Sequence, residues 1–289
     1  MFVLIAGAIL PRKYGYKVAA AGWVLFGIRW GLSTPGFFFG EHNILYTVLC
    51  ILSVPLTLYA AFLMVKDQRE SLMVITKSVA LSSIFYFPFA YLPWLSDWII
   101  SVTTSLTLTL VNAMGNNAVE SIQLVMANGV QETHHIITLN GMQVDIILAC
   151  TAIQSMAIFV GVVGCIKAPM DRVVKAFLVS VPVIYILNLI RDTFVVAAFG
   201  NQWFQFFPDA ISSWTGEPAS WTSFFWAHDV FAETGSLIAL VIISYAVITL
   251  LPETLVYLQD IFKLIQIENI KKSLRGQKVL EVTPLQPKQ

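Results

Sequence analysis

The sequence predicts an all-α polytopic membrane protein of about seven transmembrane helices, or eight if one further run spans, with a small extracytoplasmic cap before a cysteine-bearing helix. Three observations predict it. Of 289 residues, 57% are hydrophobic and 12% charged, with a mean hydropathy of +0.75, too little polar surface for an ordinary soluble domain. Apolar runs recur at lengths that cross, or nearly cross, ~30 Å of hydrocarbon. Lysine and arginine fall in alternate loops.

The first run, 1–10, lacks the basic start and small-residue cleavage site of a signal peptide and leads into "PRKYGYK", so it reads as a short or slanted span. Runs at 17–33, 43–64 and 72–95 come next. Arg12, Lys13 and Lys17 separate the first two, and Lys66, Arg69 and Lys77 lie between the third and fourth. The run 97–112, "DWIISVTTSLTLTLVN", fails a parity check. Crossing there would put the Lys-free segment 113–143 with the basic loops and Lys167 opposite them, so it is expected at the outer interface or as a re-entrant piece. Next, "ESIQLVMANGVQETHHIITLNGMQVDI" has short β-branched runs punctuated by Asn-Gly at Asn128 and Asn140, which predicts a small extended cap.

Runs at 144–164, 172–199 and 223–251 complete the set, with Lys167, Arg172 and Lys175 between the first two. Loops 33–43, 113–143 and 200–222 hold no Lys or Arg and, with nearby helix ends, carry Glu41, Asp97, Glu120, Glu132, Asp145, Asp209 and Glu217. The positive-inside rule puts them outside. The chain thus divides into a transmembrane domain, 1–252, with a core at about 140–240, and a cytoplasmic tail, 253–289. That tail is expected to begin as an amphipathic helix up to about Lys272 and to end loose.

Only Arg29 and Arg191, of seventeen basic residues, escape the basic side, and both lie within spans near their outer ends. Intramembrane charge marks a candidate functional site. Cys150, Arg191 and His228 come to one depth on three helices. Helical spacing pairs Cys150 with Gln154 and Thr151 with Ser155, and gathers Tyr185, Asn188, Arg191 and Asp192 on one face. It puts His228 in register with Ala232 and Gly235, and Asp229 with Glu233. This set suits acyl transfer through a thiolate. A neighbouring Arg or protonated His favours the thiolate, a guanidinium can hold an oxyanion, and a histidine can pass the thiol proton to a leaving amine.

Blander readings stand beside this one. Cys50 and Cys165 read as packing residues. Arg191 could be a counter-charge to Asp192 or Asp229. Arg29 reads as an interfacial side chain near Trp23 and Trp30, and Trp203, Trp214 and Trp221 as an aromatic belt or a substrate grip. His134 and His135 lie in the polar cap, with no metal set completed around them. The alternative function is a small transporter or lipid-binding protein whose polar pathway is lined by Arg191, Glu233 and His228. Neither cofactor, metal nor nucleic-acid partner is expected.

"ACTAIQSMAIF", "NLIRDTFVV" and "AHDVFAETGSLIAL" together resemble the exosortase/archaeosortase family, which carries a Cys on one helix, an Arg on the next and a His or Arg on a later one. The Cys-Thr-x-Ile-Gln-Ser run resembles the archaeal members; bacterial ones more often have a basic residue where this chain has Gln154. Ala152 and Asp192 stand where the family most often has Gly and Asn. The resemblance implies a membrane enzyme that recognises a C-terminal sorting signal of surface proteins (a PGF-type motif, a transmembrane helix and a basic tail). It would cleave that signal outside the membrane and join the new C-terminus to a membrane lipid. Cys150 would be the nucleophile, Arg191 its electrostatic partner and His228 the third catalytic residue, supported by Gln154, Ser155, Asn188, Asp192 and Asp229.

Overall fold

The structure, a computed structural model, describes residues 1–40, 44–127 and 130–280. Glu41, the Asn128 turn and the last residues of the tail lie outside these. The chain is mostly helical and forms two compact units, one of Met1–Ile84, Val160–Val174 and the residues from Ile248, the other of Phe85–Phe159 and Lys175–Val247.

The first unit begins with α1 (Phe2–Ile9) and α2 (Arg12–Pro35), joined at Pro11. They lie so close that a Cβ on Gly7 would stand 2.5 Å from the Ala19 backbone nitrogen, a contact only glycine permits. The expected first span is therefore an eight-residue helix packed on its neighbour, too short to cross alone. Next come α3 (Ile44–Lys66) and α4 (Glu70–Tyr91). α11 (Glu253–Leu264) and α12 (Ile267–Leu274) pack back on this unit, where Leu264 and Val279 join Tyr16, Leu63, Met64 and Leu72 in a core.

Arg69 holds the tail there. Wholly buried, it bonds both carboxylate oxygens of Asp260, at 2.9 and 3.2 Å, and the Val279 carbonyl, while Ser71 donates to the same carboxylate at 2.6 Å. The end expected to be loose after Lys272 is thus pinned as far as Val279. Polarity of sequence did not reveal a buried partner nearly two hundred residues away.

The second unit is built on α5 (Pro93–Ala113), β1 (Val119–Ala127), β2 (Val130–Leu139) and β3 (Met142–Ile146). The strands form an antiparallel sheet in the order β1-β2-β3, so the stretch read as extended is indeed extended, and the chain is not purely helical. Asn140 and Gly141 make the tight β2–β3 turn with φ of +52° and +83°, the left-handed pair that Asn-Gly supplies. Ile100 and Val111 of α5 share a core with Ala118, Ile137, Leu139, Ile146 and Val196. α6 (Ile153–Cys165), α7 (Met170–Gly200), α8 (Pro208–Thr215), α9 (Thr222–Phe224), a π-helical segment (Phe225–Ala232) and α10 (Glu233–Leu250) complete the chain; α4, α6, α7 and α10 contribute residues to both units.

Five helical segments among the described residues are long and apolar enough to cross a membrane: Tyr46–Lys66, Glu70–Tyr91, Pro93–Ala113, Met170–Gly200 and Ala219–Leu250. The run 144–164, expected to span, falls short because its start belongs to β3 and a 3-10 turn, leaving thirteen helical residues in α6; the run 17–33, in α2, is also not among the five, whereas 97–112, expected not to cross fully, lies in α5, which is.

Candidate active site around Cys150

Cys150 is not inside a helix, as periodicity suggested, but in the 3-10 turn Leu148–Thr151 that precedes α6. Its amide donates to the Ile147 carbonyl at 2.8 Å, and the Thr151 hydroxyl donates to the Leu148 carbonyl at 2.8 Å. Ala152 ends the turn in the left-handed region, φ +56° and ψ +6°, which costs a residue with a Cβ about 1–2 kcal/mol. The chain therefore breaks two residues after the thiol and re-forms as α6. This break removes the i,i+4 register assumed between Cys150 and Gln154. Gln154 is exposed and faces Tyr86 of α4 at 3.4 Å, a partner that helical spacing did not signal, and Ser155 is half-buried on α6.

The other predicted residues do converge. Asn188 of α7 donates from Nδ2 to the Cys150 carbonyl at 2.5 Å and to Asp192 Oδ2 at 3.0 Å. Asp192 is buried, and its other oxygen lies 3.5 Å from Arg191 Nη1. Arg191 reaches His228 through Nη2, 3.1 Å from Nε2, and His228 Nδ1 meets Asp229 Oδ1 at 2.6 Å. One continuous polar chain thus runs from the backbone of Cys150 through α7 to the π-helical segment. The Cys150 thiol itself is half-buried.

Hydrogen-bond logic fixes the histidine. Arginine has no acceptor, so the contact with Arg191 requires His228 Nε2 to accept; the ring proton then sits on Nδ1 and is donated to Asp229. Phe224 stacks on the imidazole, with centroids 4.9 Å apart and planes 9° apart, and limits its rotation. His228 lies in the π-helical segment Phe225–Ala232, a wider helix bonded i to i+5, so its expected α-helical register with Ala232 does not apply. Glu233, which begins α10, is exposed.

Outside this polar chain, His135 is the most confined titratable group of the sheet among the described residues. Only 2% exposed, it is gripped by Glu120 Oε1 at 3.0 Å on Nδ1 and Asp97 Oδ1 at 3.1 Å on Nε2; His134 Nδ1 pairs with Asp145 at 2.6 Å. Burial works against charge on His135, but the hydrogen bonds and negative charges of Glu120 and Asp97 prevail and raise its pKa above the ordinary histidine value. Both histidines therefore have carboxylate partners that the spacing of the sequence did not disclose. Arg29 is exposed and bonds Ser33, one turn along α2. Trp203 and Trp221 join a network of rings that includes Phe194, Phe204, Phe224 and Phe231, while Trp214 packs on Phe225.

The family profile described as transmembrane exosortase matches residues 1–225, a region that includes Cys150 and Arg191 and stops just short of His228. The chain is 30% identical over 273 residues to archaeosortase A of Haloferax volcanii, covering 90% of each protein. It is 26% identical over 257 residues to archaeosortase A of Natronomonas pharaonis, covering 87% of this chain and 81% of the relative. No solved structure matches it.

Proposed function

The chain belongs to the transmembrane exosortase family, and on that premise we propose that it is a membrane-embedded cysteine transpeptidase. It cleaves a C-terminal sorting signal of surface proteins, of the PGF type, and transfers the new C-terminus to a membrane lipid. The observation that carries this reading is the polar chain from Cys150 through Asn188, Asp192 and Arg191 to His228 and Asp229. A cysteine that only filled space would not need its turn fastened to a buried carboxylate and an arginine.

In the proposed reaction the Cys150 sulfur attacks the scissile carbonyl, and the thiol proton passes to His228 Nε2. That nitrogen is first engaged by Arg191. The developing oxyanion is a stronger acceptor than imidazole, so Arg191 turns from His228 to the oxyanion and frees Nε2 as the base. Collapse of the intermediate breaks the C–N bond, His228 returns the proton to the leaving amine, and a thioester remains on Cys150. A nucleophilic group of the lipid then attacks the thioester and regenerates the thiol. Asp229 holds the Nδ1 proton and the ring orientation throughout, while Asn188 and Asp192 position the cysteine turn.

The site faces the extracytoplasmic side, with the basic loops and tail in the cytoplasm. The sheet lies at the outer surface, because an open sheet edge finds no partners in hydrocarbon.

The decisive experiment incubates purified enzyme with a substrate carrying its sorting signal and looks for the acyl-enzyme by mass spectrometry. The expected adduct is a hydroxylamine-labile thioester on the peptide containing Cys150. Cys150→Ala should be folded and inactive, while Cys50→Ala and Cys165→Ala should process normally. Normal cleavage by Cys150→Ala would end this reading.

A further inference from the structure

A second candidate site lies in the first unit, between α2 and α3. We propose that this groove binds one anionic phospholipid, with the phosphate between Lys17 and Lys66 and an acyl chain along Val24, Leu58 and Phe62. The groove is open along one side and has a volume of about 490 Å³, within the ~300–1,000 Å³ of ordinary ligand sites. Lys17 and Lys66 are the only charged side chains lining it; the others named, with Ala21, are apolar.

Its dimensions suit a lipid chain. From Lys17 to Val24 is seven residues of helix, about 10 Å at 1.5 Å per residue, against ~15 Å for the hydrocarbon of one leaflet. One turn beyond Val24 the helices touch. A Cβ on Gly27 would collide with the Thr57 hydroxyl, so the groove closes there. α3 is the most apolar candidate span, yet Leu58, Phe62 and Val65 are exposed along it, a surface whose natural cover is an acyl chain.

Charge selects the headgroup. Lys66 Nζ donates to the Ser273 carbonyl at 2.6 Å and lies 5.5 Å from the Phe62 ring centroid, so its ammonium is fixed at the groove's mouth. The same bond brings α12, with Lys271 and Lys272, to that end. Clustered lysines beside a membrane span attract anionic lipid, each contributing ~1 kcal/mol. Another protein helix would have to carry a carboxylate to the same depth, whereas an anionic phospholipid supplies phosphate and chain together. This site uses no residue of the Cys150 chain.

The test uses full-length protein, stripped of lipid in detergent, with native mass spectrometry reading bound lipid as dioleoylphosphatidylglycerol, dioleoylphosphatidylcholine or free glycerol phosphate is titrated. One saturable phosphatidylglycerol is expected, bound more tightly than either alternative. Lys17→Gln should weaken it about fivefold and the Lys17→Gln, Lys66→Gln pair about 25-fold, from ~1 kcal/mol per charge. Because Lys66 also holds Ser273, Lys17→Gln and the groove-filling Ala21→Trp at an exposed position serve as variants that leave the tail attached; Ala21→Trp should abolish binding. Equal binding of phosphatidylcholine, equal binding of glycerol phosphate, or unchanged affinity in these variants would overturn the proposal. So would efficient disulfide cross-linking of Ala21→Cys to a second copy in membranes, which would show protein in the groove.

Discussion

Replacing Arg191 by lysine keeps the charge and removes the fork. In the structure two different guanidinium nitrogens are engaged, Nη2 with His228 at 3.1 Å and Nη1 with Asp192 at 3.5 Å. A single ammonium on a flexible stem cannot reproduce that planar pair or swing from the imidazole to an oxyanion while retaining Asp192. Loss of one well-placed oxyanion donor costs ~2.7–4 kcal/mol, so Arg191→Lys should lower the single-turnover cleavage rate by roughly 10²–10³. Its thermal stability should change little, because Asp192 keeps a cation nearby. Arg191→Met should be as slow and also less stable, since it leaves a buried carboxylate with Asn188 but no counter-charge. Arg191→Met with Asp192→Asn should recover stability without rate. The assay is single-turnover cleavage of a sorting-signal peptide by detergent-solubilised enzyme at matched concentration, with melting followed in parallel. Refutation would be a lysine variant within tenfold of the parent, or cleavage restored by the neutral pair; either would reduce Arg191 to a structural counter-charge.

Ala152 supplies a second test: Ala152→Gly should hold or gain up to ~1 kcal/mol in stability with cleavage retained, because the left-handed conformation suits glycine, whereas Ala152→Val should lower both, measured by thermal melting and cleavage. Because the folded pKa of His135 is raised, its contribution to stability is fully present below the ordinary pKa of ~6.5 and fades as pH rises through the folded value. The melting temperature of the parent should therefore fall toward that of His135→Gln as pH is raised from about 6, and a constant gap would refute the clamp. Arg69→Met should destabilise by ~3–5 kcal/mol by removing the arginine from the buried Asp260 carboxylate, and partial proteolysis should then release the tail after α11. Engineered cysteines at residues 120 and 210 should be labelled from outside intact cells, and one at residue 271 only after permeabilisation.

Much of the site was legible because charge is scarce in this chain. With Arg29 and Arg191 the only basic residues off the basic side, a search for partners near Arg191 leads directly to Asp192, Asn188 and His228. The neighbourhood of Cys150 was less so. An apolar run gives no sign that Ala152 adopts a conformation usually left to glycine, and without that knowledge periodicity carries the helix back through the cysteine and turns Gln154 toward the wrong neighbours. The grip on His135 depends on Asp97 and Glu120, 38 and 15 residues away in sequence, and the hold on the tail depends on Arg69 and Asp260. Such pairings are made by the fold, and no local pattern encodes them.

The π-helical segment also constrains how this chain tolerates change in length. Each residue inserted into or removed from an α-helix rotates the downstream residues by about 100°, so an indel within α10 would turn its lipid-facing side inward. A π turn already holds one residue more than an α turn and can release it. Removing a single residue between Asp229 and Ala232 would therefore be absorbed by reverting to α-helix, which leaves the flanking turns, and α10 with them, close to their present phase. The start of α10 thus carries one residue of slack in the backbone, while Phe224 and Asp229 hold the imidazole itself.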